Sequence, residues 1–362
     1  MFDTALGERT AVGVKSHVLY GRLLKDEAVW ELLHAESVGE IAERLRHAPG
    51  YQAHLETLPP RDVHRYDLEG LIKAIPLTEA AAFLNYLNGP RDAFLRAWVE
   101  RHEADNLKSL LRWILSGRQD REELRRRLWE VPDSKLPGDL LLSARDFPEL
   151  LETLRGTRYY RVIREPMKHL IDGESNLFAL EMALDIEAES HIHQALWVLA
   201  PEDRRLILPL FGARIDLINL YWLYRGRRFF RMAPEELMNR LLPCRYRIRP
   251  AQLRAMTRAQ TLEEALELLS QTPYGRVFHE SAPQDELVVE RDIKRFLLLS
   301  AREIYRVGPP AFHTAMSYFM LRELEIEDLT TIIEDVRYDY DRRHAAVYLA
   351  RPLLFGGDNP WQ

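Results

Sequence analysis

The sequence predicts an all-α protein built from three similar helical units of about 110 residues. Apolar residues recur at spacings of three and four along most of the chain, alternating strand-like runs are scarce, and a short acid/amide pattern returns twice at a nearly constant interval.

In chain order, helical periodicity is clearest over residues 28–46, 79–87, 91–115, 178–199, 262–269 and 288–304, all rich in Leu, Ala, Glu and Arg. The best strand candidate is the short CRYRIRP at 244–250, bounded by Pro243 and Pro250. Proline interrupts the helical pattern at 131–139 and again at 242–250. Those breaks divide the chain into units 1–135, 136–245 and 246–362.

The repeat has three marks. EADNLKSLLR carries Glu103 and Asn106, DLINLYWLYR carries Asp216 and Asn219, and EIEDLTTIIE carries Glu325 and Asp328; the second position of each pair recurs after 113 and 109 residues. An amphipathic segment closes on Tyr51, Tyr160 and Tyr274, with Leu45, Leu154 and Leu268 each six residues earlier. Pro132, Pro243 and Pro352 follow the amide or acid by 26, 24 and 24 residues. Units of this length resemble small domains more than the short turns of a solenoid, and three of them can stack or close into a pseudo-threefold ring.

On a helix, Glu103 and Asn106 share a face one turn apart, as do Asp216 and Asn219, so each pair can hydrogen-bond along the helix. The Leu beside each amide starts an apolar stripe. An amide at the edge of such a stripe needs partners, because leaving it unsatisfied costs about 1–3 kcal/mol. These residues therefore read as register-setting packing determinants. In the third copy two acids, Glu325 and Asp328, are neighbours, which predicts a shared proton or exposure to water.

Composition narrows the function. The 46% apolar and 29% charged fractions are those of an ordinary globular protein. A net charge of −6 does not suit a general nucleic-acid binder. Cys244 is the only cysteine, which excludes an intrachain disulfide and a cysteine zinc cluster. The first ten residues lack the basic and apolar regions of a secretory signal, and no run of eighteen consecutive apolar residues is present. Neither GxSxG, HExxH nor GxxxxGK[ST] occurs. Asp185, Glu189 and His193 follow at four-residue spacing, which reads as a charged helix surface rather than a metal site lacking a fourth ligand.

Residues 225–258 hold ten arginines and two acids, Glu235 and Glu236. Interleaved with aromatics, Arg225, Arg227, Arg228, Arg231, Arg245, Arg247 and Arg249 form a candidate partner-binding segment, able to pair with carboxylates or phosphates or to stack on bases.

AVGVKSHVLYGRLL near the start, EIAERLRHAPGY, EADNLKSLLR, RIDLINLYWLYRGR and MSYFMLRELEIEDLTTII together resemble the C-subunit family of bacterial and archaeal V/A-type rotary ATPases, the counterpart of the eukaryotic V-ATPase d subunit. The similarity runs from about residue 10 to about residue 355. It implies a three-domain, pseudo-threefold, funnel-shaped helical adaptor of the central stalk, peripheral to the membrane on its cytoplasmic side. Such an adaptor joins central-shaft rotor subunits to the membrane rotor ring, coupling ATP hydrolysis or synthesis to proton or sodium transport, without catalysis, cofactor or small-molecule substrate. The third unit departs from the family pattern, with Asp328 in place of Asn and Glu334 in place of the arginine seen at Arg112 and Arg225. The alternative reading is a helical scaffold or regulator that binds nucleic acid or an acidic protein through its arginine-rich segment.

Overall fold

The computed structural model describes residues 2–59, 63–118, 120–172, 177–279, 286–339 and 342–353. Among them every regular element is helical. The order is α1 (Phe2–Tyr20), α2 (Asp26–Leu33), α3 (Val38–Arg46), α4 (Arg65–Leu84), α5 (Gly89–Leu115), α6 (Arg121–Arg127), α7 (Gly138–Ser143), α8 (Phe147–Thr153), α9 (Arg158–Ile171) and α10 (Leu177–Val198). There follow α11 (Pro201–Arg228), α12 (Pro234–Asn239), α13 (Pro250–Arg258), α14 (Leu262–Ser270), α15 (Gly275–His279), α16 (Glu286–Tyr305), α17 (Phe312–Tyr338) and α18 (Arg342–Tyr348).

The helix expected over 28–46 is two helices, because Ser37 leaves the helical region and caps α3 by accepting the Glu40 N–H at 3.2 Å. That cap recurs. Asp146 caps α8 through the Glu149 N–H and Thr261 caps α14 through the Glu264 N–H. In each case the glutamate reaches back to a backbone N–H just outside the helix, Glu40 to Glu36, Glu149 to Arg145 and Glu264 to Gln260. The residues four and eight beyond each cap are buried: Ile41 and Leu45, Leu150 and Leu154, Ala265 and Leu269. Leu268, the sequence-derived counterpart of Leu45 and Leu154, is only half-buried, so Leu269 is the residue that packs.

The segment 244–250 is not a strand. Its backbone N–H groups at Tyr246, Arg247 and Ile248 turn instead to the carboxylate of Asp216, which satisfies them without a neighbouring strand. Gly212, one turn earlier on α11, lets Tyr246 lie close, since a Cβ there would stand 2.6 Å from the tyrosine ring.

The chain divides into two compact units, one made of residues 1–76, 201–231 and 246–362, the other of residues 77–200 and 232–245. In the first, one apolar cluster brings Leu33, Ile41, Leu45, Leu55 and Ile72 together with Leu329, Ile332 and Ile333 of α17. In the second, Leu107 and Leu111 of α5 pack with Leu150, Ile163, Met167 and Leu184. By length and composition α11 could cross a bilayer, yet 61% of the window that qualifies is buried inside the protein, where it carries the buried Asp216 and Asn219.

Candidate functional site

The three acids at the head of the repeated motif are each buried, and each accepts a hydrogen bond from a buried tyrosine. Tyr159 donates to Glu103 Oε2 at 3.0 Å, Tyr274 to Asp216 Oδ2 at 2.9 Å and Tyr51 to Glu325 Oε1 at 2.7 Å. Burial first, and the carboxylate charge second, push all three phenols well above their ordinary range, so they remain protonated donors. The tyrosine of the middle segment is Tyr159 and not Tyr160: Tyr159 is 1% exposed and reaches the acid, whereas Tyr160 is half-buried. One extra residue lies between the Ser37 cap and Tyr51 compared with Asp146 to Tyr159 and Thr261 to Tyr274, and it displaces a count made backwards from the tyrosine.

The remaining capacity of each carboxylate is used locally. Ser134 donates to Glu103 at 2.6 Å and Arg158 pairs with it at 3.2 Å. Asp216 takes the three backbone N–H groups described above. Glu325 is held by Arg322 Nη1 at 2.7 Å, Arg351 Nη2 at 3.2 Å and the backbone N–H of Leu24 at 2.7 Å. A charge this far from water is tolerated only with such complete pairing.

The second position of the motif performs a different task from the one expected. Asn106 does not bond to Glu103; it brackets the backbone of a residue 23 positions downstream, accepting from Trp129 N at 2.7 Å and donating to Trp129 O at 2.9 Å. Asp216 likewise directs its oxygens to the backbone of 246–248 and to Tyr274, and Asn219 beside it is 1% exposed. Asp328 neither shares a proton with Glu325 nor faces water. It is 5% exposed and accepts the N–H groups of Ala350 at 2.7 Å and Arg351 at 3.1 Å. Burial is the main reason its carboxyl rises to about 7, against the opposing pull of those two N–H groups.

The departure at Glu334 resolves into a reversed ion pair. Arg112 pairs with Glu181 of α10 at 2.6 Å and Arg225 with Glu286 of α16 at 2.7 Å; at the third position Glu334 pairs with Arg65 of α4 at 3.4 Å. The contact persists with its charges exchanged.

The arginine-rich segment separates into engaged and exposed side chains. Arg225 is tied to Glu286, and Arg227 donates to the carbonyls of Thr257, Ala259 and Thr261 where α13 ends. Arg228 lies beside the rings of Tyr224 and Phe229. Arg245 is half-buried, and Arg247 lies over the Tyr246 ring at 5.2 Å. Arg231, Arg247 and Arg249 are exposed, as are Phe229 and Phe230 at the end of α11.

Asp185 meets Lys108 at 2.6 Å, while His193 accepts from the Trp197 indole at 2.8 Å, so the four-residue spacing brings no ligand set together. Among the described residues no group of three His, Cys, Asp or Glu side chains could hold a metal ion. Cys244 is buried.

Arg322 and Arg351, 1% and 6% exposed, are central to the Glu325 cluster and were not signalled by sequence periodicity. The caps at Ser37, Asp146 and Thr261 could have been found, because each is followed three residues later by glutamate.

Residues 13–346 match the family described as ATP synthase (C/AC39) subunit. The C subunit of the A-type ATP synthase of Methanothermobacter thermautotrophicus is 22% identical over 324 residues, covering 88% of this chain and 81% of the relative. Its counterpart in Thermococcus onnurineus is 25% identical over 314 residues, covering 83% and 81%. That of Thermococcus gammatolerans is 24% identical over 343 residues, covering 90% and 88%. A match over nearly the whole length, on an all-helical chain, places this protein in the ATP synthase (C/AC39) subunit family.

Proposed function

We propose that this chain is the non-catalytic central-stalk adaptor of an A-type ATP synthase, joining the rotor shaft to the membrane rotor ring from the cytoplasmic side. It binds the membrane only peripherally, through the ring, and needs no cofactor or small-molecule substrate. Its three units surround a pseudo-threefold axis in a funnel whose socket receives the shaft.

The nearly full-length family match carries this reading. Supporting the three units are a cap whose glutamate reaches back, a tyrosine bond to the leading acid of the motif and an ion pair six residues after its second position, each recurring at three corresponding positions. A rotor joint has to resist torque. Each elementary charge crossing 100 mV is worth about 2.3 kcal/mol, and several are summed per ATP. Buried, fully bonded carboxylates suit that task because they fix helix register and leave few alternative packings.

Arg231, Arg247 and Arg249 are the exposed candidates for contact with an acidic partner; Arg225 and Arg227 chiefly hold this chain's own fold.

The test is reconstitution of the rotary complex with and without this chain. Without it, ATP hydrolysis should continue while ATP-driven ion uptake into vesicles is lost, and adding the chain back should restore uptake. Full ion uptake in its absence would overturn the proposal.

A further inference from the structure

Two of the tyrosine–carboxylate pairs are local in sequence, Tyr159 following Glu103 by 56 residues and Tyr274 following Asp216 by 58. The third reverses the order: Tyr51 precedes Glu325 by 274 residues. The same displacement appears in the ion pairs. Glu181 and Glu286 follow Arg112 and Arg225, whereas Arg65 precedes Glu334 by 269 residues. What α5 and α11 receive from downstream sequence, α17 receives from the early part of the chain.

The attachment is concentrated. Arg322 Nη2 donates to the Gly50 carbonyl at 2.6 Å and its guanidinium lies 4.5 Å from the centre of the Tyr51 ring. Arg351 donates to the Leu24 carbonyl and pairs with Asp26, while Glu325 receives both Leu24 N–H and the Tyr51 hydroxyl. Gly50 is required where it stands, since a Cβ would meet the Arg22 carbonyl oxygen at 2.6 Å. Three side chains from residues 322–351 thus gather the polar attachments of residues 24–51, and the apolar cluster shared with α17 seals them.

We infer that residues 24–55 are a clasp, a non-covalently docked segment that completes the packing of α17 and can open from it while residues 77–172 stay folded. The inference rests on direct contacts; of the proposed function it uses only the correspondence between the three units. Opening such a segment needs loss of one polar cluster and one apolar face, with no break in the helices it leaves. Closing it spans more than 250 residues of sequence, so it forms after the local pairs.

Hydrogen exchange on the full-length protein tests this. Glu325→Gln and the milder Tyr51→Phe should each speed exchange in residues 24–55 by about tenfold or more, matching loss of about 1.4 kcal/mol of local opening free energy, with residues 77–172 unchanged. Tyr159→Phe, which disturbs the corresponding bond elsewhere, should give the opposite pattern. If Tyr51→Phe left residues 24–55 as protected as before, or raised exchange equally throughout the chain, the clasp would be refuted. Shaft binding and ion coupling are read separately, so that result would leave the adaptor proposal standing.

Discussion

Replacing Asp216 separates the contribution of its hydrogen bonds from that of its charge. The side chain is fully buried and collects four donors: Tyr246 N at 2.9 Å on Oδ1, then Arg247 N at 2.6 Å, Ile248 N at 3.2 Å and the Tyr274 hydroxyl at 2.9 Å on Oδ2. In Asp216→Ala all four lose their acceptor. Tyr246 is half-buried and Arg247 exposed, so their N–H groups can turn to water, but Ile248 N and the Tyr274 hydroxyl cannot. At about 1–3 kcal/mol for each stranded buried donor, the loss is about 2–6 kcal/mol, a large share of the roughly 5–15 kcal/mol typical of folded proteins. Asp216→Asn can keep an oxygen where three donors converge and place its amide opposite Tyr246 N, sacrificing one bond for about 1–2 kcal/mol. Urea unfolding followed by far-UV circular dichroism measures both. If the two variants lost the same stability, or if alanine cost under about 1 kcal/mol, the carboxylate would not be the anchor of the 244–250 segment.

Further outcomes follow from neighbouring contacts. Gly212→Ala should cost about 1–3 kcal/mol by driving the Tyr246 ring off α11, measurable in the same urea series, and a neutral result would mean that Tyr246 shifts freely. Burial raises Asp328 to about 7, above its ordinary value near 4, so the folded form holds this proton more tightly. That stabilisation is complete below the unfolded value and is lost as pH rises to about 7; Asp328→Asn should flatten the fall in unfolding midpoint between about pH 4 and 7, and identical slopes would refute the assignment. Glu334→Ala should cost under about 1 kcal/mol, as expected of a pair with one exposed partner, and with Arg65→Ala already in place, which also strips Glu69 of its partner, the same change should cost less, a recovery that measures the coupling. No recovery in a double-mutant cycle would mean that the reversed pair contributes nothing.

Helical class was legible because it depends on periodicity, which sequence displays directly. The acids Glu103, Asp216 and Glu325 were found for the same reason, yet their partners were not. The i, i+3 geometry suggested Asn106 for Glu103, whereas each residue reaches another segment, and which loop folds back onto a helix is decided by tertiary packing. Tyr160 and Leu268 were off by one residue, because counting back from a tyrosine ignores the extra residue after α3. Counting forward from the caps at Ser37, Asp146 and Thr261 gives the right buried positions, since a cap fixes helical phase at its start. The best strand candidate, 244–250, is not a strand because alternation is only a local signal, and a single buried carboxylate 30 residues earlier supplies the acceptors that a sheet would have. Arg322 and Arg351 were invisible because buried arginine defies the usual preference for exposure and is tolerated only beside Glu325.

The most direct test of the adaptor role is binding of the purified chain to the isolated central-shaft subunits of the same rotary complex, by titration calorimetry with mass measured by light scattering. An adaptor should form a one-to-one complex that survives moderate salt, weakened by charge reversal at Arg231, Arg247 and Arg249 if that exposed surface meets the shaft, and unchanged by it if the surface meets the ring. Absence of any complex at low or moderate salt, from a chain whose circular dichroism shows it folded, would contradict the role.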